Sequence, residues 1–571
     1  MFGIKGLMPV GKEGSIFCLF FMFWNRKKDG ERTYMGLKGK ALHRAVATIA
    51  GCGFLLFGYD QGVMGGLLTL DNFLKQFPRL DGSTLDGSIM QGACVSIYEI
   101  GCMMGALATL YFGDKYGRRR VIFSGAWIMT VGAILQCASY HLPQMIVGRI
   151  VTGVGNGFIT ATVPMWQSEC AKPEVRGLLV MIEGSLITCG IMISYWVDYG
   201  MSFTGNESDW RFPIAFQIVF AIVIILFVLE LPESPRWLVK KNRIEESKKV
   251  FAALEGIEID APAIQVQVDE VLASLNVESQ THSGLGNLFT YGKHKNFHRV
   301  CLAFWNQCFQ QISGINLITY YAATVYANSL GFDNEMARLM AACNGTEYFI
   351  ASWIPFWTIE RFGRRKLMLF GAAGQSITMA ILTATVWDGV ARGNSGSGIA
   401  AAVFLFVFNT FFAIGWLGMT WLYPAEIVSL EIRAPANGIS TASNWIFNFL
   451  VVMITPIAFH NIEHFTYTIF CAINALIFVA TYFLFPETQG RSLEEIDKIF
   501  ENSNPYTPWD VVGIARRLPK EGHITNDEEA LRRHHADVYI EKAHQESSTH
   551  ENSAAEDIEK RQPIETSSSS N

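Results

Sequence analysis

Apolar segments long enough to cross a membrane recur along this chain of 571 residues, and they constrain its fold more than any other feature. Half of the residues are hydrophobic and only 17% are charged, which is too little charge for a soluble protein of this length. Such segments cross a bilayer as helices, because a helix satisfies its own backbone polar groups. The predicted spans lie near 45–70, 89–112, 120–139, 143–166, 177–199, 212–230, 299–329, 336–359, 366–388, 398–424, 435–459 and 464–485. The sequence therefore predicts an all-α membrane protein with twelve transmembrane helices.

Changes in polarity divide the chain into five predicted regions. Basic residues cluster after the second, sixth and eighth spans, which places these loops and both termini in the cytoplasm. A regulatory tail and an inert extension both remain open for the polar C-terminus. The predicted regions are 1–44, an N-terminal cytoplasmic arm; 45–230, a six-helix bundle; 231–298, a cytoplasmic middle loop with short helices; 299–486, a second six-helix bundle; and 487–571, a mostly disordered cytoplasmic tail with a short helix near 492–500.

The two halves repeat one another. Three motifs recur in the same order at an offset of about 250 residues, which is hard to obtain by chance. A duplicated six-helix unit is typical of secondary transporters that bind substrate between their halves. The repeated motifs are Gly113-Asp114-Lys115-Tyr116-Gly117-Arg118-Arg119 with 359–365, Trp166-Gln167-Ser168-Glu169 and Arg176 with 423–426 and Arg433, and Pro232-Glu233-Ser234-Pro235-Arg236 with 486–491.

An amide-rich stretch interrupts the seventh span. Gln307, Gln310 and Gln311 fall at helical spacings of three and four, so they share one face. Asn316 lies about 140° around a regular helix from Gln311, and a break near Gly314 is expected to return it to the same side. Carboxamides donate and accept hydrogen bonds, as a polyhydroxy ligand requires, but they also join packed membrane helices. On this stretch alone both interpretations remain open.

Carboxylates inside apolar spans are expected to be paired or functional. Asp60 lies in the first span, and Arg149 in the fourth is its natural partner. Each of Glu99, Glu183 and Glu347 is expected to be paired, to lie in a water-filled vestibule or to be kept neutral, and a structural or vestibular role is favoured for all three. Glu183 is also a secondary candidate for proton binding.

As a set, these motifs resemble the sugar porter family of the major facilitator superfamily over about residues 45–500. The most similar branch is the fungal one that includes the yeast glycerol–proton symporter, and that branch is itself similar to fungal hexose and pentose transporters. The motifs are Gly58-Tyr59-Asp60, Asp114…Gly117-Arg118-Arg119, Gly148-Arg149, Pro232-Glu233-Ser234-Pro235-Arg236, Gln310-Gln311…Gly314…Asn316, Gly363-Arg364-Arg365 and Pro486-Glu487-Thr488, with Trp166–Glu169, Arg176–Gly184 and Ser492–Asp497 pointing to the branch.

The resemblance implies roles for individual residues. Asp60 and Arg149 match the family's proton-coupling pair, although a permanent structural ion pair remains the alternative. Two positions depart from the family, because Gly184 stands where many members have Gln and Tyr348 where many have Asn. The implied substrate-binding residues are Gln310, Gln311, Asn316, Tyr348, Trp421 and Asn444. The implied gating salt bridges involve Asp114, Arg118, Arg119, Glu169, Arg176, Glu233, Arg236, Glu360, Arg364, Glu426 and Arg433.

The sequence thus predicts a proton-coupled secondary transporter that imports a small sugar or polyol, such as a hexose, a pentose or glycerol, across the plasma membrane. An uncoupled facilitator and a non-transporting nutrient sensor on the same fold are the alternatives. No phosphate-binding loop or metal-ligand cluster is found in the sequence, so we expect no enzyme activity, cofactor or metal, and no nucleic acid partner. The expected partners are the substrate, protons, membrane lipid, and trafficking or ubiquitin machinery at the tail.

Overall fold

The computed structural model describes residues 34–171, 176–280, 288–290, 292, 294–429, 432–491, 493–504 and 507–518. Most of the predicted N-terminal arm and of the tail therefore lies outside the described residues. Within the described part, ten helices are long and apolar enough to cross a membrane. The prediction of an all-α membrane protein is confirmed.

The first half contains six long helices. Its first helix begins before the predicted span, and a short helix, Asp71–Gln76, follows it. The long helices are α1 (Lys40–Leu67), α2 (Leu85–Tyr116), α3 (Arg118–Cys137), α4 (Leu142–Cys170), α5 (Arg176–Met201) and α6 (Ser208–Phe227). Three helices of the polar middle follow them, α7 (Pro235–Lys240), α8 (Ile244–Glu255) and α9 (Pro262–Gln280).

In the second half, three of the predicted spans are divided into shorter pieces. π-Helical turns occur in the seventh span at Gln311–Ile315 and Val325–Ser329 and in the tenth at Ala413–Leu417, and Ser352–Ile354 interrupts the eighth. The helices are α10 (Asn296–Gln310), α11 (Asn316–Thr324), α12 (Asn334–Ala351), α13 (Pro355–Phe362), α14 (Arg364–Arg392), α15 (Ser395–Phe412), α16 (Met419–Ile427), α17 (Arg433–Ile462) and α18 (Phe465–Leu484). Among the described residues of the tail, two short helices follow, α19 (Leu493–Glu501), as predicted, and α20 (Asp510–Arg517), inside the region predicted to be mostly disordered.

The halves pack against each other mainly through α2 with α17, α5 with α12, and α1 with α11. We call the end of the bundle that carries Arg118 and Arg364 the basic end, and the other end the opposite end. From the midpoint of the spanning helices to the opposite end, hydrogen bonds join the two halves. Tyr195 Oη donates to the Thr319 carbonyl at 2.8 Å, and Arg338 Nη1 donates to the Thr69 carbonyl at 3.1 Å. The helices therefore hold the halves together at this end.

Each Gly-Arg-Arg turn is capped by a carboxylate from the third repeated motif. Glu233 Oε1 accepts hydrogen bonds from the backbone N–H groups of Arg118 at 3.0 Å and Arg119 at 3.4 Å, at the start of α3. Glu487 does the same for Arg364 at 2.8 Å and Arg365 at 3.2 Å, at the start of α14. A carboxylate at a helix N-terminus satisfies free N–H groups and complements the helix dipole. The repeat therefore preserves a helix-capping contact.

Gly117→Ala is expected to lower the free energy of unfolding by about 1–3 kcal/mol. Gly117 has a φ of +88°, and a Cβ there would lie 2.5 Å from Glu233 Oε2, so alanine would displace the cap. Gly113→Ala is the matched control, since no atom lies within 4 Å of its Cβ position. The measurement is the melting temperature of each purified variant in detergent, and equal melting temperatures would contradict the capping role.

Candidate functional site

The amide-rich stretch lies where α10 gives way to α11, and the helix breaks there. Gln311–Ile315 form one π-helical turn in which Gly314 has a φ of 101°. A Cβ at Gly314 would approach Phe470 Cδ1 to 3.0 Å, so both the backbone and the packing require glycine. The Ser313 carbonyl accepts a hydrogen bond from Asn474 Nδ2 at 2.7 Å, which satisfies the backbone at the break. The predicted break near Gly314 is confirmed.

The break returns Asn316 to the face of the glutamines. Asn316 Nδ2 donates to Gln311 Oε1, and Gln311 Nε2 donates to Gln310 Oε1 at 3.1 Å. From α17, Asn444 Nδ2 donates to Gln310 Oε1 at 3.1 Å and to Gln307 Oε1 at 2.7 Å. All of these side chains are buried. Four of the predicted ligand residues thus form one hydrogen-bonded network. The same network bridges α10 and α17, as a helix-packing contact would. Their role as ligand residues therefore stays a prediction.

The other predicted ligand residues lie on separate helices. Trp421 is half-buried on α16. Tyr348 is buried on α12, where its ring meets Phe412 edge-on with the centroids 6.1 Å apart. At Gly184 on α5, the nearest atom to an added Cβ is Leu417 Cγ at 3.6 Å, an ordinary contact. Gly184 therefore leaves room beside Leu417, whereas Tyr348 fills space with a packed ring.

Sequence reasoning missed three residues near the amides. Asn448 lies one turn beyond Asn444 on α17, and both of its amide atoms are buried without a hydrogen-bond partner in the described part of the chain. The indole nitrogens of Trp416 and Trp445 are buried and unpaired in the same way. The Trp445 ring meets Phe57 of α1 edge-on at 5.5 Å, so this aromatic pair joins the two halves. Unpaired buried polar groups are unfavourable, which favours a ligand or water as their partner. The i, i+4 spacing from Asn444 was the available indication for Asn448.

Asp60 and Arg149 form the predicted ion pair. Arg149 Nη1 lies 3.5 Å from Asp60 Oδ1, and both side chains are 0% exposed. The guanidinium also lies over the Tyr98 ring at 4.7 Å, and its Nη2 donates to the Val95 carbonyl at 2.9 Å. A buried ion pair is sensitive to any change that removes one of its charges, because the remaining charge is then uncompensated. The geometry is compatible with both interpretations of the pair, coupling and structural.

The remaining membrane carboxylates occupy different environments. Glu99 on α2 accepts a hydrogen bond from the Tyr320 hydroxyl on α11, across the interface between the halves. Glu347 on α12 accepts one from the Thr410 hydroxyl at 2.5 Å. Glu183 is buried on α5. Of these three carboxylates, Glu99 therefore differs in that it lies in one half and accepts a hydrogen bond from the other.

At the basic end, the repeated acids pair with the arginines of the Gly-Arg-Arg turns. Arg118 Nε lies 3.0 Å from Glu169 Oε2, and Arg364 Nη2 lies 2.8 Å from Glu426 Oε1. Each pair joins residues of a single half. Flanking acids add the contacts Asp114–Arg118 at 3.8 Å, Arg119–Glu233 at 3.6 Å and Glu360–Arg364 at 3.1 Å.

The two outer arginines of the predicted network are placed differently. The side chain of Arg176 lies outside the described residues. Arg433, at the start of α17, has its Nε and Nη2 buried without a hydrogen-bond partner among the described residues. Burial lowers the pKa of Arg433, the nearby Arg236 lowers that pKa further, and Asp497 opposes the shift. Arg236 of the polar middle and Arg433 of the second half are therefore close enough to repel each other as like charges.

Comparison with known proteins places this arrangement in context. The family model for sugar (and other) transporters matches residues 45–500. The chain is 38% identical to the sugar transporter STL1 of Saccharomyces cerevisiae over 497 residues, which is 86% of each chain. It is also 38% identical to the MFS-type transporter oryC of Aspergillus oryzae over 508 residues, 88% of this chain and 94% of that one. The proton:xylose symporter XylE, solved with 6-bromo-6-deoxy-D-glucose, shares the fold with a TM-score of 0.68 at 24% identity, covering 81% of this chain and all of that chain.

Proposed function

The chain belongs to the sugar (and other) transporter family, and from that premise we propose that it imports a small sugar or polyol together with a proton. The observation that carries the proposal is the break at Gly314, which gathers Gln310, Gln311 and Asn316 beside Asn444 in the buried centre of the bundle. We propose transport rather than catalysis, since the family and the matched relatives are transporters.

The proposed substrate is a neutral polyhydroxy compound. Carboxamides donate to and accept from hydroxyl groups, and the faces of Trp421 and Trp445 suit the C–H side of a sugar. The relatives that support this class carry the names sugar transporter, hexose transporter and galactose transporter. Gly184 and Tyr348 are the positions at which we expect the choice among glycerol, pentoses and hexoses to be made.

Proton coupling is proposed through Asp60 and Arg149. Protonation of Asp60 removes one charge of a fully buried pair, so it weakens the attraction between α1 and α4. A proton that changes this attraction biases the equilibrium between two arrangements of the helices. This chain shares its fold with a proton:xylose symporter, and that fold is compatible with this mechanism.

Alternating access is proposed with the basic end in the cytoplasm, both termini on that side and the protein in the plasma membrane. In that orientation the contacts Tyr195–Thr319 and Arg338–Thr69 close the extracellular end. The salt bridges of Arg118 and Arg364 brace each half at the cytoplasmic end and form part of the gate there. Trafficking or ubiquitin machinery is proposed to act on the tail.

Uptake and pH measurements together test this function. Labelled glycerol, xylose, glucose and a disaccharide are supplied to cells that lack their own carriers and express the full chain. A symporter imports at least one of them, alkalinises the medium and acidifies the cytoplasm when the substrate is added. Uptake without a pH change would identify an uncoupled facilitator. Absence of uptake for every substrate, with nutrient signalling intact, would identify a sensor.

Arg364→Gln is expected to slow transport about tenfold with a much smaller change in KM. The substitution leaves Glu426 without its strongest partner at the gate, but it lies away from the amide network. Arg392→Gln is the matched control, because Arg392 lies at the other end of the same helix with its side chain 68% exposed. Initial uptake rates over a range of substrate concentrations separate the two effects, and a pure rise in KM would contradict the gating role.

A further inference from the structure

Glu99 occupies the interface between the proposed proton site and the amide-bearing helix. Its Oε1 accepts the hydrogen bond of the Tyr320 hydroxyl, and its Oε2 is buried without a hydrogen-bond partner in the described part of the chain. Both side chains are 0% exposed. Tyr320 lies four residues beyond Asn316 on α11, so the two side chains stack on one face of that helix. A displacement of α11 by ligand therefore changes the contact with Glu99.

The charges around Glu99 do not balance without a proton. Arg149 of α4 forms the ion pair with Asp60 and is also near enough to attract Glu99 electrostatically, so two carboxyl groups depend on one guanidinium. An uncompensated negative charge in a buried membrane site is strongly unfavourable, and one bound proton removes it. Helix α17, which packs on α2, has no ionisable residue between Arg433 and His460. The other titratable groups that face Glu99 are Tyr98 and Cys102 of its own helix and Tyr320 of α11.

The hydrogen bonds distinguish the two carboxyl groups. The Tyr320 hydroxyl donates to Glu99, and such a donor stabilises a charged carboxylate more than a neutral carboxyl. Asp60 instead faces the cation, since Arg149 Nη1 lies 3.5 Å from its Oδ1, and Tyr98 faces it as well. In this conformation each carboxyl group therefore has its own stabilising partner, Arg149 for Asp60 and Tyr320 for Glu99.

We propose that Asp60 and Glu99 share one transported proton, and that Tyr320 determines which of them holds it. When α11 moves away, Glu99 loses its donor and binds a proton from water. When α11 returns, the O–H bond at Glu99 breaks and the proton binds the Asp60 carboxylate, leaving Glu99 charged beside Tyr320. This proposal rests on proton-coupled transport as the function. It makes Tyr320 the link between the ligand at Asn316 and the proton.

Glu99→Gln tests the shared proton in proteoliposomes that contain the full chain, with labelled glycerol, xylose and glucose. One carboxylate then faces one guanidinium, and no proton is needed. We expect downhill counterflow to continue while the accumulation ratio falls to about 1 from about 10 per pH unit of gradient. Glu347→Gln is the control, since it makes the same change at a buried carboxyl that bonds Thr410, and it is expected to accumulate substrate like the wild type. Wild-type accumulation by the Glu99→Gln protein would overturn the proposal.

Tyr320→Phe provides a second test that does not depend on the folding of the Glu99 variant. Without the hydroxyl, Glu99 keeps its proton to higher pH, so the midpoint of the uptake–pH profile is expected to rise by about one unit. Tyr321→Phe is the matched control, because the Tyr321 hydroxyl donates to the Val452 carbonyl within the second half. A midpoint that does not move in Tyr320→Phe would overturn the proposal. If the wild type itself fails to accumulate substrate, the proposed function is wrong, whereas accumulation by both the wild type and Glu99→Gln refutes the shared proton alone.

Discussion

Asp60→Asn is expected to abolish uphill accumulation of substrate while downhill exchange continues. The asparagine is close to the size of a protonated aspartate but cannot bind or release a proton. A gradient of one pH unit corresponds to about 1.4 kcal/mol, so a carrier that moves one proton per substrate accumulates about tenfold. With Asn at this position the expected accumulation ratio is about 1 at any gradient, because no charge change remains to couple.

Proteoliposomes with an imposed pH gradient measure this ratio, and counterflow at equal pH measures the exchange that remains. Asp198→Asn is the matched control. Asp198 is also a fully buried aspartate in a spanning helix, but it lies on α5 beside Gly66. Full accumulation by the Asp60→Asn protein would show that the Asp60–Arg149 pair is structural.

Gln310→Ala is expected to raise KM between about tenfold and one hundredfold, with a smaller effect on the maximal rate. Gln310 is the centre of the amide network, since its Oε1 accepts from both Gln311 and Asn444. Its removal takes away a ligand contact and leaves two buried donors without their acceptor, each loss amounting to about 1–3 kcal/mol. The amides that remain are then free to turn away from the substrate.

The control for this variant is Gln217→Ala. Gln217 is also fully buried, but its Nε2 donates to the Ile214 carbonyl of its own helix, α6. Initial-rate uptake of each transported substrate is measured for both proteins, together with their melting temperatures. An unchanged KM in Gln310→Ala with normal folding would support the alternative in which the amides only join α10 and α17.

The spans and the repeat could be predicted because their causes are local. An apolar run of sufficient length can cross a membrane only as a helix, because the helix satisfies its own backbone polar groups. The helix prediction was confirmed where the apolar runs were long and uninterrupted. Gly314 followed from the same reasoning, since a glycine between amides in an apolar run indicates a break. The interruptions at Ser352–Ile354 and Ala413–Leu417 were not predicted. Pro355 follows the first and Gly415 lies in the second, but such residues also occur in unbroken helices, as Pro164 does in α4.

The pairing of distant charges could not be predicted in the same way. The sequence shows Glu169 seven residues before Arg176, whereas the folded chain pairs Glu169 with Arg118 on another helix. Glu233 likewise has two roles, as partner of Arg119 and as cap of α3, and the second depends on where the chain returns after α6.

The twelve-span plan, the duplicated halves, the buried charges of Asp60 and Arg149 and the amide-rich stretch could be read from composition, spacing and motif, because these are local along the chain. The pairing of Asp60 with Arg149 was expected from the family resemblance. Three features became visible in the folded chain alone. Asn444 contacts Gln310, the buried amide of Asn448 has no hydrogen-bond partner among the described residues, and Glu99 contacts Tyr320 across the halves. These contacts link residues that are more than a hundred positions apart or lie on different helices. Which partners meet is decided by the rotation and packing of whole helices, and no local pattern encodes that choice.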